Sequence, residues 1–367
     1  MRKIIAPIAG LILILLIAVV GYKSYQGSSA QHAAQAVVNV HGIVGSEKQD
    51  FFNDPAVIAE FQHNGINLKI DTEGSRDQAL TASADGADFY FPAGEPAGRA
   101  LAKRLNIKNA STPFYTPIVI ASWEPIANIL EQNGIVKKTG AYWYVVNMQK
   151  LLAIVKSDER WSDLPHNTAY PVNKHILISS TDARKSNSAD MYLALASYLF
   201  NNNEVVTTST QQQKIQHDID GLFLRQGYQE SSSSGPFDDY VSIGMGKAPM
   251  VLVYEQQFVE YLVEHPASDR PAGMVLLYPK PTIFTKHTIV PTNEHGAKVA
   301  TLLETDDILK TLEMKHGFRT NDAAKTNQIW KSEKVDLPSQ ILDVIDPPSF
   351  ETLETMIRGV SAAYDKQ

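Results

Sequence analysis

The chain has 367 residues, of which 44% are hydrophobic, 9% aromatic and 20% charged, enough apolar material for a large core and far from disordered or collagen-like composition. Its 33 basic and 40 acidic residues give a formal charge of −7, with no basic block beyond the extreme N-terminus, so nucleic-acid binding by phosphate neutralisation is not expected. With no cysteine, the chain excludes thiol nucleophiles, zinc fingers, iron–sulfur clusters, disulfides and a lipidated cysteine.

At the N-terminus, Arg2 and Lys3 precede an uncharged run from Ile4 to Val20, which Gly21 and Tyr22 extend before Lys23 closes it. At ~1.5 Å rise per residue the run is near the ~17–20 residues needed to cross a hydrocarbon core. The two cations hold the start in the cytoplasm and send the body across. A cleaved secretory signal and an uncleaved signal-anchor both fit. The run exceeds a signal core of ~7–15 residues, and Ser28-Ser29-Ala30 is a weak cleavage candidate, which favours a transmembrane anchor over residues 1–23. Residues 24–36, small and polar without a hydrophobic period, read as a flexible tether.

From Val37 onward, short apolar runs alternate with helical periodicities, the pattern of an α/β body with a largely parallel sheet. Strands are predicted at Val37–Val44, Ile66–Ile70, Asp88–Phe91 and Tyr115–Ala121, and helices opening at Pro55, around Ala97–Leu105 and around Ile126–Leu130. Farther on come a helix around Met148–Ile154, a strand at His175–Ser179 and the strongest helical period, carried by Met191, Ala194, Leu195, Tyr198 and Leu199. Residues 204–249 read as loops and short helices. Strands at Met250–Val253 and Gly273–Leu277, two amphipathic helices around Val299–Leu312 and a last helix near Phe350–Val360 complete the chain.

Four constellations carry candidate chemistry. Gly45-Ser46-Glu47-Lys48 follows the first strand, where ligands of open α/β sheets gather. In Glu73-Gly74-Ser75-Arg76, Ser75 can cap a short helix and Arg76 can offer a bidentate donor to an anion. Thr181, Asp182, Arg184, Ser186, Asn187 and Ser188 crowd the entrance to the strongest helix, whose first turn has unpaired amides. Tyr254-Glu255 ends a strand, and Trp123 also stands at a strand end, where core packing competes with stacking on a ligand. No nucleophile elbow, zinc-protease, phosphate-loop or dinucleotide motif occurs, and the ten histidines are scattered, so neither a catalytic set, a metal site nor a cofactor is expected.

The run ILISSTDARKSNSADMYLALASYLFNNN resembles the bacterial extracellular solute-binding proteins, where a strand leads into a T-D-P-R-x-S-N-S-G loop and a long helix; here Ala183 and Ala189 stand for the proline and glycine. GSEKQDFFNDPAVIAEFQHNGINLKI, YTPIVIASWEPIANIL, APMVLVYEQQF, VLLYPKPTIFTKHTIVP and KHGFRT agree in the same order. The resemblance implies a type II periplasmic-binding-protein fold: two α/β lobes joined by crossing strands and closing on a small polar or charged ligand. It places the first lobe at 37–122 with a return at 273–330, the second at 123–272 and a C-terminal extension at 331–367. The crossovers then fall near Ile118–Trp123 and Met274–Pro281. Ser46, Glu47, Lys48, Ser75 and Arg76 would face Thr181, Asp182, Arg184, Ser186, Asn187 and Ser188, with Tyr254 and Glu255 nearby. The implied function is capture of a solute outside the inner membrane for ABC-type uptake, with a membrane permease as partner. A membrane-anchored sensory or protein-interaction module using the same cleft is the alternative.

Overall fold

The computed structural model describes residues 37–141 and 143–366; the expected membrane helix over 1–23 and tether over 24–36 lie outside the described residues. Among the described residues, no helix is long and apolar enough to cross a membrane.

The first lobe begins with β1 (Val38–Val44), a single 3-10 turn at Ser46–Lys48, α1 (Gln49–Asn53), α2 (Pro55–His63) and β2 (Ile66–Thr72). Asp54 starts α2 by accepting from the Ala56 amide at 2.7 Å, with Pro55 supplying a preset first helical φ. Then follow α3 (Ser75–Thr81), β3 (Phe89–Phe91) and α4 (Glu95–Arg104). β1 is parallel to both β2 and β3, and β10 (Val290–Pro291) closes the sheet antiparallel in the order β10-β3-β1-β2. Val44, Phe51, Phe61, Phe89 and Phe91 bury its faces, together with Phe114, Val299, Leu303 and Phe318 from later in the chain.

The nine residues of β4 (Tyr115–Trp123) leave this lobe and enter the next. The second lobe contains α5 (Glu124–Gln132), β5 (Val136–Lys138), β6 (Trp143–Asn147), α6 (Met148–Lys156), α7 (Asn187–Phe200), α8 (Ser209–Leu224), α9 (Ser234–Ser242), β7 (Met250–Tyr254) and α10 (Glu255–Glu264). β8 (Met274–Lys280) and β9 (Thr282–Lys286) bring the chain back, and α11 (Glu294–Thr305), α12 (Asp307–Lys315) and α13 (Ala323–Ser332) follow β10. β11 (Val344–Ile345) and α14 (Phe350–Tyr364) end the described chain.

The sheet here runs β11-β9-β4-β8-β6-β5, with β7 also on β4, and it corrects the expectation of largely parallel pairing. β4 is antiparallel to β7, β8 and β9, for β8 and β9 because the chain crosses back between the lobes there. The run at His175–Ser179 is no strand: it docks beside β7 through Ser179, whose amide donates to the Met250 carbonyl at 3.0 Å. α7 is buried around nearly its whole circumference, from Asn187 to Ser197. α14 adds Leu353, Met356, Ile357 and Val360 to the same core.

Candidate functional site

A cavity of about 320 Å³ lies where the two lobes meet. One wall is Gly45, Ser46 and Glu47 after β1, with Thr72 at the end of β2 and Glu73, Gly74, Ser75 and Asp77 after it. The other is Lys185, Ser186 and Asn187 at the start of α7, Ser231 to Ser233 before α9, and Tyr254 before α10. In each case a strand or loop ends and a helix begins, so unpaired amides and side-chain hydroxyls collect around one space. A larger depression of about 570 Å³ around Gly134, Val145, Tyr198 and Pro281 takes its lining from the β5–β6 edge, α7 and the β8–β9 bend. It does not join the two walls just described.

The walls touch. Ser46 Oγ and Ser232 Oγ are 3.1 Å apart, and Arg76 Nη1 donates to the Arg184 carbonyl at 3.4 Å. A Cβ at Gly94 would collide with the Asn187 side chain, and one at Gly74 with the Lys185 carbonyl, so glycine at both positions permits this approach.

Ser46, Glu47, Ser75, Ser186, Asn187 and Tyr254, six of the residues picked from sequence, line the cavity. Ser75 does not cap α3; Gly74 takes the N-cap position, and Ser75 Oγ accepts from the Ala93 amide at 2.8 Å. Asn187 Nδ2 donates to the Tyr254 hydroxyl at 3.0 Å, which fixes both side chains at the rim. Thr181 and Ser188 sit behind them, hydroxyl to hydroxyl at 2.7 Å, and Ser188 continues to Ser186 at 3.1 Å.

The remaining charged candidates are engaged within the protein. Arg184 makes a bidentate pair with Asp182, its Nη2 2.6 Å from Oδ2, and lies over the Tyr364 ring at 4.6 Å. Arg76 forks onto Glu354 of α14 at 2.5 and 2.9 Å. Glu255 is not at the cavity: it pairs with Arg319 at 2.5 and 2.8 Å and accepts from the Tyr278 hydroxyl at 2.5 Å. Trp123 is also elsewhere, its Nε1 donating to the Ala248 carbonyl at 2.9 Å and its ring 4.6 Å from that of Tyr240. For both, a buried partner distant in sequence takes the polar group the strand end presents.

Behind Ser46, Lys48 is fully buried beside Glu47 and His287. Lys48 Nζ lies 3.1 Å from His287 Nδ1 and 4.8 Å above the Phe91 ring. Burial alone would raise the Glu47 carboxyl, but Lys48 and His287 together outweigh it and hold Glu47 at about 2. Burial, reinforced by Lys48, pushes His287 down to about 4, so the imidazole is neutral at pH 7. Nδ1 faces both Lys48 Nζ at 3.1 Å and Glu47 Oε1 at 3.4 Å, and Nε2 has no hydrogen-bond partner. At the rim, burial and the neighbouring Asp77 raise the Glu73 carboxyl.

Sequence reasoning passed over Ser231 to Ser233, Asp77 and His287, and it counted Lys185 only as one of the cations at the entrance to α7. The serine run before Gly235-Pro236 carried a usable signal, four hydroxyls at a helix entrance. His287 lies in a strand-like apolar run, PTIFTKHTIV, which marks it for burial. Among the described residues no group of three or more His, Asp or Glu side chains is placed to hold a metal ion.

No family model matches the chain, and no curated protein matches it in sequence. Solved structures do match in shape. The sulfate-binding protein of Mycobacterium tuberculosis has a TM-score of 0.54 at 16% identity, covering 90% of this chain and 99% of that one. The ferric-binding protein of Campylobacter jejuni has a TM-score of 0.55 at 10% identity, covering 89% and 98%. An ABC-transporter solute-binding protein of Thermotoga lettingae, bound with α-D-tagatose, has a TM-score of 0.53 at 11% identity, covering 89% and 93%. With two sheets joined by β4 and the β8–β9 return around a shared cavity, the chain has the two-lobed type II fold of the periplasmic solute-binding proteins.

Proposed function

We propose that the chain is an extracytoplasmic solute-binding protein, held to the inner membrane by residues 1–23, that closes its lobes on a small hydrophilic solute carrying an anionic group and delivers it to an ABC-type permease. Residues 37–122 with the return at 273–330 form one lobe and 123–272 the other. No covalent step is involved.

The observation that carries this reading is the cavity's lining from both lobes by hydroxyls and helix entrances, while Arg76 and Arg184 are already paired. The anionic group is recognised by amides, by the hydroxyls of Ser46, Ser75, Ser186 and Tyr254 and by the Asn187 carboxamide rather than by a free guanidinium. Glu73 and Asp77 at the rim favour a solute whose remainder offers hydroxyls or a cation, and they disfavour a bare polyanion. Each hydrogen bond to the charged group contributes roughly 1.5–3 kcal/mol.

Thermal unfolding of the full chain in detergent tests this with a panel of sulfate, inorganic phosphate, hydroxy acids, amino acids and neutral sugars. The expected result is stabilisation by an anion-bearing member, about 2.7 kcal/mol at a hundred times its Kd, lost in Asn187→Ala and Ser46→Ala. Stabilisation by neutral sugars alone, or stabilisation that survives both substitutions, contradicts the reading.

A further inference from the structure

We propose that α14 is a latch that holds the lobes closed, through the ion pair between Arg76 and Glu354. This goes beyond solute capture and needs no knowledge of the ligand.

One side of α14 is seated on the second lobe. Leu353, Met356, Ile357 and Val360 join the larger core, Gln216 Nε2 of α8 donates to the Met356 carbonyl at 3.1 Å, and the Tyr364 hydroxyl donates to the Phe223 carbonyl at 3.1 Å. The other side reaches the first lobe. Glu354 accepts both forks of Arg76, which stands in the first turn of α3, and the two side chains are 7% and 21% exposed. The chain reaches α14 by a third crossing between lobes, in which β11 runs parallel to β9 and the Thr282 amide donates to the Asp343 carbonyl at 2.9 Å.

The latch also grips the cleft wall. Arg76 donates to the Arg184 carbonyl, and the Arg184 guanidinium lies over Tyr364 at the far end of α14. Lys185 and Ser186, next in the chain, line the cavity. Asp190 is buried nearby with Oδ1 unpartnered; burial and the neighbouring Glu354 push its carboxyl well up against the pull of Arg76, so withdrawing Arg76 leaves Glu354 without its cation beside a second buried acid. A hinge opening that separates α3 from α14 must break this arrangement. An arginine at the cleft edge is thereby used to hold the lobes together rather than to hold solute.

The absence of native cysteine makes the test direct. Cysteines introduced at the exposed positions Asp85 in the first lobe and Gln213 in the second carry spin labels on the full chain in detergent, without added solute. Glu354→Gln is expected to raise the long-distance population about tenfold, the response to losing one buried charge-assisted contact. Exchanging the charges, Arg76→Glu with Glu354→Arg, is expected to return the distribution towards that of the unsubstituted chain. An unchanged distribution in Glu354→Gln overturns the latch. A rise that the exchange does not reverse overturns the ion pair's part in it. Failure of every solute in the binding panel leaves this distance measurement untouched, so the two readings fail separately.

Discussion

Two buried histidines, one behind the cleft and one at the hinge, receive opposite treatment from the same fold. His287 is fully buried next to Lys48, among the rings of Phe91, Phe114 and Phe318. His316, 11% exposed, has a carboxylate on each ring nitrogen: Glu260 of α10 at 2.5 Å on Nδ1 and Asp54 at 2.9 Å on Nε2. Burial disfavours the charged imidazolium at both sites. At the hinge, Glu260 and Asp54 outweigh burial and raise His316; behind the cleft, Lys48 adds to burial and lowers His287 to about 4. Both nitrogens of His316 therefore donate, and the imidazolium ties Asp54 of the first lobe to α10 of the second. At His316 two carboxylates outweigh burial, whereas at His287 burial is the largest cause and Lys48 adds to it against the pull of Glu47.

Removing the cation behind the cleft has the largest expected effect on this contrast. Lys48→Met leaves Glu47, 5% exposed, without its main partner and is expected to cost about 3–5 kcal/mol in denaturant unfolding. The same change is expected to raise His287 from about 4, read from the imidazole resonances by NMR titration. An unmoved His287 would assign its low value to burial alone.

A smaller effect is expected at the hinge. Glu260→Gln removes one of two carboxylates from His316 and is expected to cost about 1.5–3 kcal/mol and to lower the histidine's pKa. Glu260 is itself pushed up to about 6 by burial against the pull of His316, so this comparison belongs at neutral pH, where the carboxylate is ionised.

The pH profiles separate the two sites most finely. His287 is depressed from 6.5 to about 4, so its contribution is present above pH 6.5 and is lost as pH falls from 6.5 towards 4. His316 is raised above 6.5, so its contribution is complete below 6.5 and is lost as pH rises through the folded value. The stability difference between the unsubstituted chain and His287→Gln should shrink on acidification, and that for His316→Gln on alkalinisation. Parallel profiles would remove the contrast.

How far these features were legible from sequence depends on whether their causes are local. Apolar alternation and Pro55 mark β1, α2 and β2 because their determinants lie within a few residues. The loops at 45–48, 73–76 and 181–188 were identifiable as polar entrances to helices, and parts of all three reach one cavity. The partners were not identifiable. Glu354 lies 278 residues from Arg76, and Arg319 lies 64 residues from Glu255. No periodicity reveals such pairings, so arginines and carboxylates that read as ligand groups are in fact satisfied by one another. Trp123 was ambiguous for the same reason, since the Ala248 carbonyl that receives its Nε1 proton lies 125 residues along the chain.

The most direct test of solute capture between the lobes is native mass spectrometry of the full chain purified from its own cells, beside the Asn187→Ala variant. The account predicts a small, hydrophilic, anion-bearing molecule retained by the unsubstituted chain and absent from the variant. A molecule retained equally by both would place the bound solute outside the cavity formed by Ser46, Ser75 and Asn187 and contradict the account.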